Sequence, residues 1–199
     1  FFDYYLGGEN NGWENQSEYL YFHMGERKWF GASAWPPQSK NLKYHLTKSG
    51  SLSSQAETKD EKLSYSYDPT DPSPSVGGKT LSDDLDQGPY DQKPKVESRN
   101  DVLIFTSDAL NQDFDVKGKI KVKLQVSSDR LDTDFAVRLT EVYPDGKSIM
   151  LLEGIQRMRF RNGYTVSDTA FMKPGVVYPI ELEMDDISNR FLKGHKIRL

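Results

Sequence analysis

Between positions 119 and 126 the chain alternates without exception. Ile120, Val122, Leu124 and Val126 are interleaved with Lys119, Lys121, Lys123 and Gln125. A period of two puts every aliphatic side chain on one face of a strand and every polar one on the other, whereas a helix would scatter both sets around its axis. This segment must therefore lie over a core with its lysines in water. Phe135, Val137 and Leu139 repeat the pattern, and Pro144-Asp145-Gly146 supplies a hairpin turn before a strand at 148–152. Asn162-Gly163 and Pro174-Gly175 mark two further turns, which border strands expected at 155–161 and 177–184. Short strands with turn signals at this spacing predict a mainly β chain folded as an antiparallel β-sandwich. No fixed-period repeat or heptad pattern is present.

The first half is less regular. Residues 1–18 open on an aromatic segment and turn polar at Gly7-Gly8-Glu9-Asn10-Asn11-Gly12, which is loop chemistry. The apolar run Tyr19-Leu20-Tyr21-Phe22-His23-Met24, ended by Gly25, predicts a buried strand. Trp35-Pro36-Pro37 is a rigid extended stop, and the alternation over 42–47 predicts a half-buried strand. Residues 48–101 are rich in Ser, Gly, Pro and Asp and hold one short strand candidate at 63–67. A loop-rich stretch of this length is either functional or disordered.

Composition removes several functions. The hydrophobic fraction is 36%, and with 10 Phe, 11 Tyr and 3 Trp much of the core is expected to be aromatic. Lys and Arg number 26 against 30 Asp and Glu, so the basic footprint of a nucleic-acid binder is missing. There is no cysteine, which excludes disulfides, thiol catalysis and cysteine-ligated metals. No apolar run reaches the ~20 residues of a membrane-spanning helix. The chain opens on Phe1 rather than Met and stops in the alternating segment Lys196-Ile197-Arg198-Leu199, which reads as a strand cut short. A piece of a longer protein is the expectation.

Candidate chemistry is sparse. Gly31-Ala32-Ser33-Ala34-Trp35 approaches a nucleophile elbow but puts Trp where the second Gly should stand, so Ser33 reads as a loop serine. His23, His45 and His195 lack the i, i+4 partner of a helical zinc site and read as structural histidines. Asp83, Asp84 and Asp86 resemble a fragment of a calcium loop without its terminal Glu. Asp132 and Asp134 form a carboxylate pair at a strand start, where capping of local backbone donors competes with acid–base work. Trp13, Trp29 and Trp35, with Tyr19 and Tyr21, are either a sugar-binding platform or core. No catalytic residue, metal site or cofactor is expected from the residues alone.

Several stretches, in order, carry a resemblance. Phe22-His23-Met24-Gly25 with Trp29 and Trp35-Pro36-Pro37 resembles a segment of the cocaine esterase and glutaryl acylase group of α/β-hydrolases. The X-prolyl dipeptidyl peptidases and α-amino acid ester hydrolases are more distant relatives of that group. Tyr67-Asp68-Pro69-Thr70-Asp71-Pro72-Ser73-Pro74 with Gly77-Gly78 is similar to the linker that opens the group's C-terminal domain. Gly88-Pro89-Tyr90-Asp91-Gln92, Arg99-Asn100-Asp101-Val102, Val142-Tyr143-Pro144-Asp145-Gly146, Ser188-Asn189-Arg190-Phe191 and Gly194-His195 follow in family order.

The resemblance implies a serine hydrolase of three parts: an α/β core, a helical cap and a C-terminal jelly-roll sandwich of the galactose-binding type. Residues 1–18 would be the end of the catalytic domain and 19–199 most of the jelly roll. The family's Gly-x-Ser-Tyr-x-Gly nucleophile motif does not occur here, and its base histidine lies upstream, so no histidine here inherits that role. His195 would be a fold residue before a strand. In a member of that group the loop after the Gly-Gly pair turns toward the acyl pocket and contributes apolar side chains. Leu81 and Ser82 stand near that place, Ser82 where that member carries an aromatic. The implied partners are the catalytic domain of the same protein and, through it, a small acyl ester, amide or peptide substrate; a homo-oligomer is left open. The alternative is a stand-alone ligand- or carbohydrate-binding sandwich.

Overall fold

The computed structural model describes residues 1–59 and 61–199 and is built mainly of antiparallel strands. Strands β1 (Tyr19–His23) and β2 (Lys28–Ala32) form a hairpin, and β3 (His45–Leu46) pairs with β4 (Leu52–Ser53). The long strands β5 (Phe114–Val126) and β8 (Tyr178–Phe191) make one sheet. The other joins β7 (Ser148–Arg157), β6 (Asp134–Val142) and β9 (Lys196–Arg198), in that order. Its β9 edge continues through Phe105 and Ser107, whose N–H groups donate to Leu199 and Ile197 at 2.8 Å, and Leu52 then donates to Thr106.

The core lies between these two sheets. Val122 and Val126 of β5 and Ile180, Leu182, Met184, Ile187 and Phe191 of β8 meet Leu139 and Ile197 of the opposite sheet, so among the described residues the buried core is aliphatic with Phe191 as its one aromatic, against the aromatic core that composition suggests. Met158 and Met172, at 0% and 1% exposure, belong to the same cluster. Each such side chain contributes about 1.5–3 kcal/mol of burial free energy. The wet face of β5 and β8 is a ladder of opposite charges: Lys119 and Lys121 reach Glu183, while Lys121 and Lys123 reach Glu181. The alternation over 119–126 thus has the predicted meaning.

Two bulges interrupt the pairing. Lys119 faces Asp186 and Lys121 faces Glu183, so Met184 and Asp185 together oppose Ile120. On the other sheet Leu139 faces Leu152 while Thr140 faces Met150, leaving Leu151 extra. The first bulge turns two successive carboxylates, Asp185 and Asp186, to the exposed face.

Some sequence expectations need correction. The strand of Tyr19 to His23 exists but is not buried: only His23 is, because the hairpin rests on the sandwich by one face alone. Over 42–47 only His45 and Leu46 pair, and Thr47, expected on the wet side, is buried, where its hydroxyl bonds Ser51. Residues 63–67 form no strand, and Leu63, Tyr65 and Tyr67 are exposed. The two strands expected at 148–152 and 155–161 are one, which gives way at Met158 to a short 3₁₀ turn, Met158–Phe160. Residues 1–18 hold only α1 (Phe2–Tyr5) and a 3₁₀ turn, Trp13–Asn15.

Candidate functional site

The bulge in β8 organises the surface. Asp186 accepts the indole N–H of Trp35 at 2.7 Å, and Asp185 pairs with the Lys79 ammonium. Trp35 follows the β1–β2 hairpin, and Lys79 opens the loop after Gly77-Gly78. Two neighbouring residues of one bulge therefore tether two separate surface elements. Pro36 packs on Gly118, whose φ of +99° favours glycine and where an added Cβ would come within 3.0 Å of Pro36 Cβ.

The loop carrying Leu81 and Ser82 is closed at its neck, where Gly78 and Gly88 exchange two backbone hydrogen bonds of 2.8 and 3.0 Å. Gln92 buttresses the neck: its amide donates to the Val76 and Tyr90 carbonyls and accepts from Arg138 at 2.8 Å. Beyond the neck Leu81 is 93% exposed and Ser82 half-buried, with the Ser82 hydroxyl accepting from Asp84 N–H. Asp83, Asp84 and Asp86 are exposed on the same loop, beside an open depression that Lys95 also lines.

Under the hairpin lies a polar cluster that sequence reasoning missed. Arg190 donates to both oxygens of Asp115, Nε to Oδ1 at 2.6 Å and Nη2 to Oδ2 at 3.0 Å, and its Nη2 lies 2.5 Å from Glu26 Oε1. This guanidinium holds the Asp115 carboxyl at about 2, well below the ordinary carboxylate range. His23 is completely buried beside them. Its Nε2 is 3.4 Å from Asp115 Oδ1 without hydrogen-bond geometry, and both ring nitrogens lack a partner. The expectation of a satisfied structural histidine fails here, and the Asp115 Oδ1 that the ring approaches already accepts the Arg190 Nε–H at 2.6 Å. His23, Glu26 and Asp115 are close enough to share a cation. Arg190 already bridges the two carboxylates, so a metal ion would meet a guanidinium there.

The other candidates resolve into structure. His195 Nδ1 is 2.7 Å from the buried Glu141 carboxylate and its ring lies against Tyr143, just before β9, which is a fold role. His45 sits in β3 opposite Ser53. Ser33 lies on an exposed bend after an antiparallel strand, where no elbow can form. Asp134 is paired bidentately with its cross-strand neighbour Arg157 at 2.7 Å, and Asp132 accepts the Arg159 N–H at 2.9 Å, so both carboxylates tie the start of β6 to the end of β7 and the turn after it instead of capping local backbone donors. The aromatic residues do not share a platform. Tyr21 packs with Phe30 and Trp35 on the inner face of the hairpin, Trp29 with Phe22 on the outer face, and Trp13 with Phe1. Nor are they core, since Trp29 is 70% exposed. Among the described residues no serine or threonine hydroxyl is hydrogen-bonded to a histidine.

The geometry has known counterparts. The cocaine esterase of Rhodococcus sp. (strain MB1 Bresler) is 36% identical over 207 residues, covering 99% of this chain and 36% of that protein. An aminopeptidase from the marine sediment archaeon Thaumarchaeota archaeon superposes with a TM-score of 0.88 at 25% identity, over all of this chain and 34% of its own. An α-amino acid ester hydrolase shares the fold at a TM-score of 0.79 and 23% identity, over 90% of this chain and 32% of that one. The chain thus spans about a third of the length of the relatives it matches. The family model that matches, over residues 11–199, describes an X-Pro dipeptidyl-peptidase C-terminal non-catalytic domain, and to that family this chain belongs.

Proposed function

We propose that this chain is the C-terminal supporting domain of a serine hydrolase that cleaves small acyl esters or amides through an acyl-enzyme. Residues 1–18 end the catalytic domain, and 19–199 form the sandwich that braces it. Nucleophile, base and oxyanion hole lie in the catalytic part, and the sandwich by itself turns over nothing. The clasped loop helps to close the acyl pocket with Leu81 and Ser82. The observation that carries this reading is the loop itself: a tight Gly78–Gly88 neck, buttressed by the buried Gln92, holds out an apolar tip at 93% exposure. A loop clasped at its base and ending in an exposed leucine is built to reach something outside its own domain.

The test is substrate preference in the full-length enzyme. Leu81→Ala and Ser82→Phe should alter the ratio of kcat/KM for benzoyl against acetyl esters at least several-fold, with opposite signs. Ser82→Phe fills the pocket and Leu81→Ala empties it. An unchanged ratio for both variants would overturn the pocket role.

A ligand-binding sandwich is favoured by one observation, the exposed Trp29 beside Phe22. Calorimetric titration with neutral oligosaccharides tests it, and heat lost on Trp29→Ala would support it.

A further inference from the structure

The β1–β2 hairpin is apolar on both faces, yet the sandwich covers only one. Tyr21, His23 and Phe30 point inward, with the Lys117 ammonium 5.9 Å from the Tyr21 and Phe30 rings. Leu20, Phe22 and Met24 alternate outward from β1, and Trp29 stands opposite Phe22 on β2. Their exposures are 53%, 42%, 38% and 70%, and the Phe22 and Trp29 rings meet edge to face at 5.6 Å. A strand apolar on both sides belongs between two layers. The sheet face of β5 and β8 shows how this protein treats solvent: there every outward position from Lys119 to Lys123 is charged. The outer hairpin face is composed for a partner instead, with Trp and Phe at its centre.

We infer that this outer face, Leu20, Phe22, Met24 and Trp29, is the seat of the catalytic part of the same polypeptide; the inference rests on the supporting-domain reading above. Three observations choose that occupant. The relatives are about three times as long as this chain, so each carries a body large enough to cover the patch. The hairpin and the Leu81 loop are tethered to adjacent residues of one bulge, Asp186 through Trp35 and Asp185 through Lys79, so a body that takes Leu81 into its pocket is brought to the hairpin as well. The seat is also rigid before docking: Met24 N–H donates to the Ser188 carbonyl at 2.9 Å, Gly25 lies against the Arg190 backbone, and Glu26 pairs with Arg190.

Hydroxyl-radical footprinting of the full-length protein, read by mass spectrometry, tests this. Oxidation rates at Phe22 and Trp29 are compared in native protein and in urea, with Met158 as the buried standard, and hydrolysis of p-nitrophenyl butyrate is followed on the same sample. The expected result is an active enzyme in which both aromatics are protected several-fold, approaching Met158, at every protein concentration. An active enzyme in which Trp29 reacts as it does in urea would overturn the inference and leave the functional reading standing. Protection that grows with concentration would assign the face to a second copy, and protection only on adding oligosaccharide would assign it to a ligand. Either outcome overturns the inference. A full-length polypeptide with no serine-hydrolase part and no hydrolysis would overturn the reading beneath it. As a second readout, Trp29→Lys should separate the unfolding of the full-length protein into two transitions, whereas Lys123→Glu, on the charged sheet face, should not.

Discussion

Asp115→Asn isolates the salt bridge that fastens the hairpin to the sandwich. The wild-type carboxylate receives two hydrogen bonds from Arg190, which in turn holds Glu26 of the hairpin turn. Its pKa falls from 3.8 to about 2. A shift of that size is worth about 2.5 kcal/mol if fully realised, and with a third of the side chain in water we halve it to about 1 kcal/mol. The group is depressed in the folded state, so its contribution is complete above pH ~4, where the unfolded carboxyl is also ionised, and disappears as the pH falls toward 2. Urea unfolding of wild type and Asp115→Asn should therefore differ by about 1 kcal/mol at neutral pH, and the difference should close between pH 4 and 2. Carbon-13 titration of the Asp115 carboxyl gives the midpoint directly. A stability difference that is constant over the whole range, or a midpoint near 3.8, would refute the argument.

Other substitutions probe the remaining supports. Gly25→Ala would put a methyl group 2.5 Å from Arg190 Cβ and 2.7 Å from its carbonyl oxygen, so hydrogen exchange at the Met24 amide should accelerate as the hairpin lifts. Met158→Ala, at a side chain with no exposure, should cost about 2–5 kcal/mol in chemical denaturation. His195→Ala strips the buried Glu141 carboxylate of its 2.7 Å partner and should cost about 1–3 kcal/mol, with His195→Gln recovering part of it. Lys121→Glu places like charges beside Glu181 and Glu183 and should lower the Tm at low salt, a loss that shrinks in 1 M NaCl.

The strands of the sandwich were readable wherever one face meets the core and the other meets water. Residues 119–126 fall into this class, and the turn at Pro144-Asp145-Gly146 forms as its residue types demand: Gly146 takes φ +87° and its N–H donates to the Tyr143 carbonyl. The errors arose where local pattern and tertiary context part. Tyr19 to Met24 looks buried because both of its faces are apolar, but the described residues cover only one. Leu63, Tyr65 and Tyr67 alternate correctly and still find no neighbouring edge to pair with. Position 157 ends β7 as Met158 turns into the core at the start of a 3₁₀ turn, a distinction that no run of Ile-Gln-Arg-Met-Arg-Phe contains.

The candidate site divides along the same line. Family order alone draws attention to Leu81 and Ser82 in the loop after Gly77-Gly78, and the Gly78–Gly88 pairing that closes that loop emerges only in the fold. The anchors are another matter. Asp115 and Arg190 are 75 residues apart, His23 and Asp115 92 apart, and Trp35 meets Asp186 across 151. Such pairs depend on which strands become neighbours and on a bulge that shifts register by one residue. Side-chain alternation is local, because each residue's direction follows from its own backbone and the next, so the sequence by itself determined a mainly β sandwich with Lys119, Lys121 and Lys123 on a wet face, and the motif order pointed to its family. Only the tertiary structure decided which carboxylates meet which cations, that His23 is buried without a partner, and that the aromatic hairpin turns one apolar face away from the core, since these follow from long-range packing that no local pattern encodes.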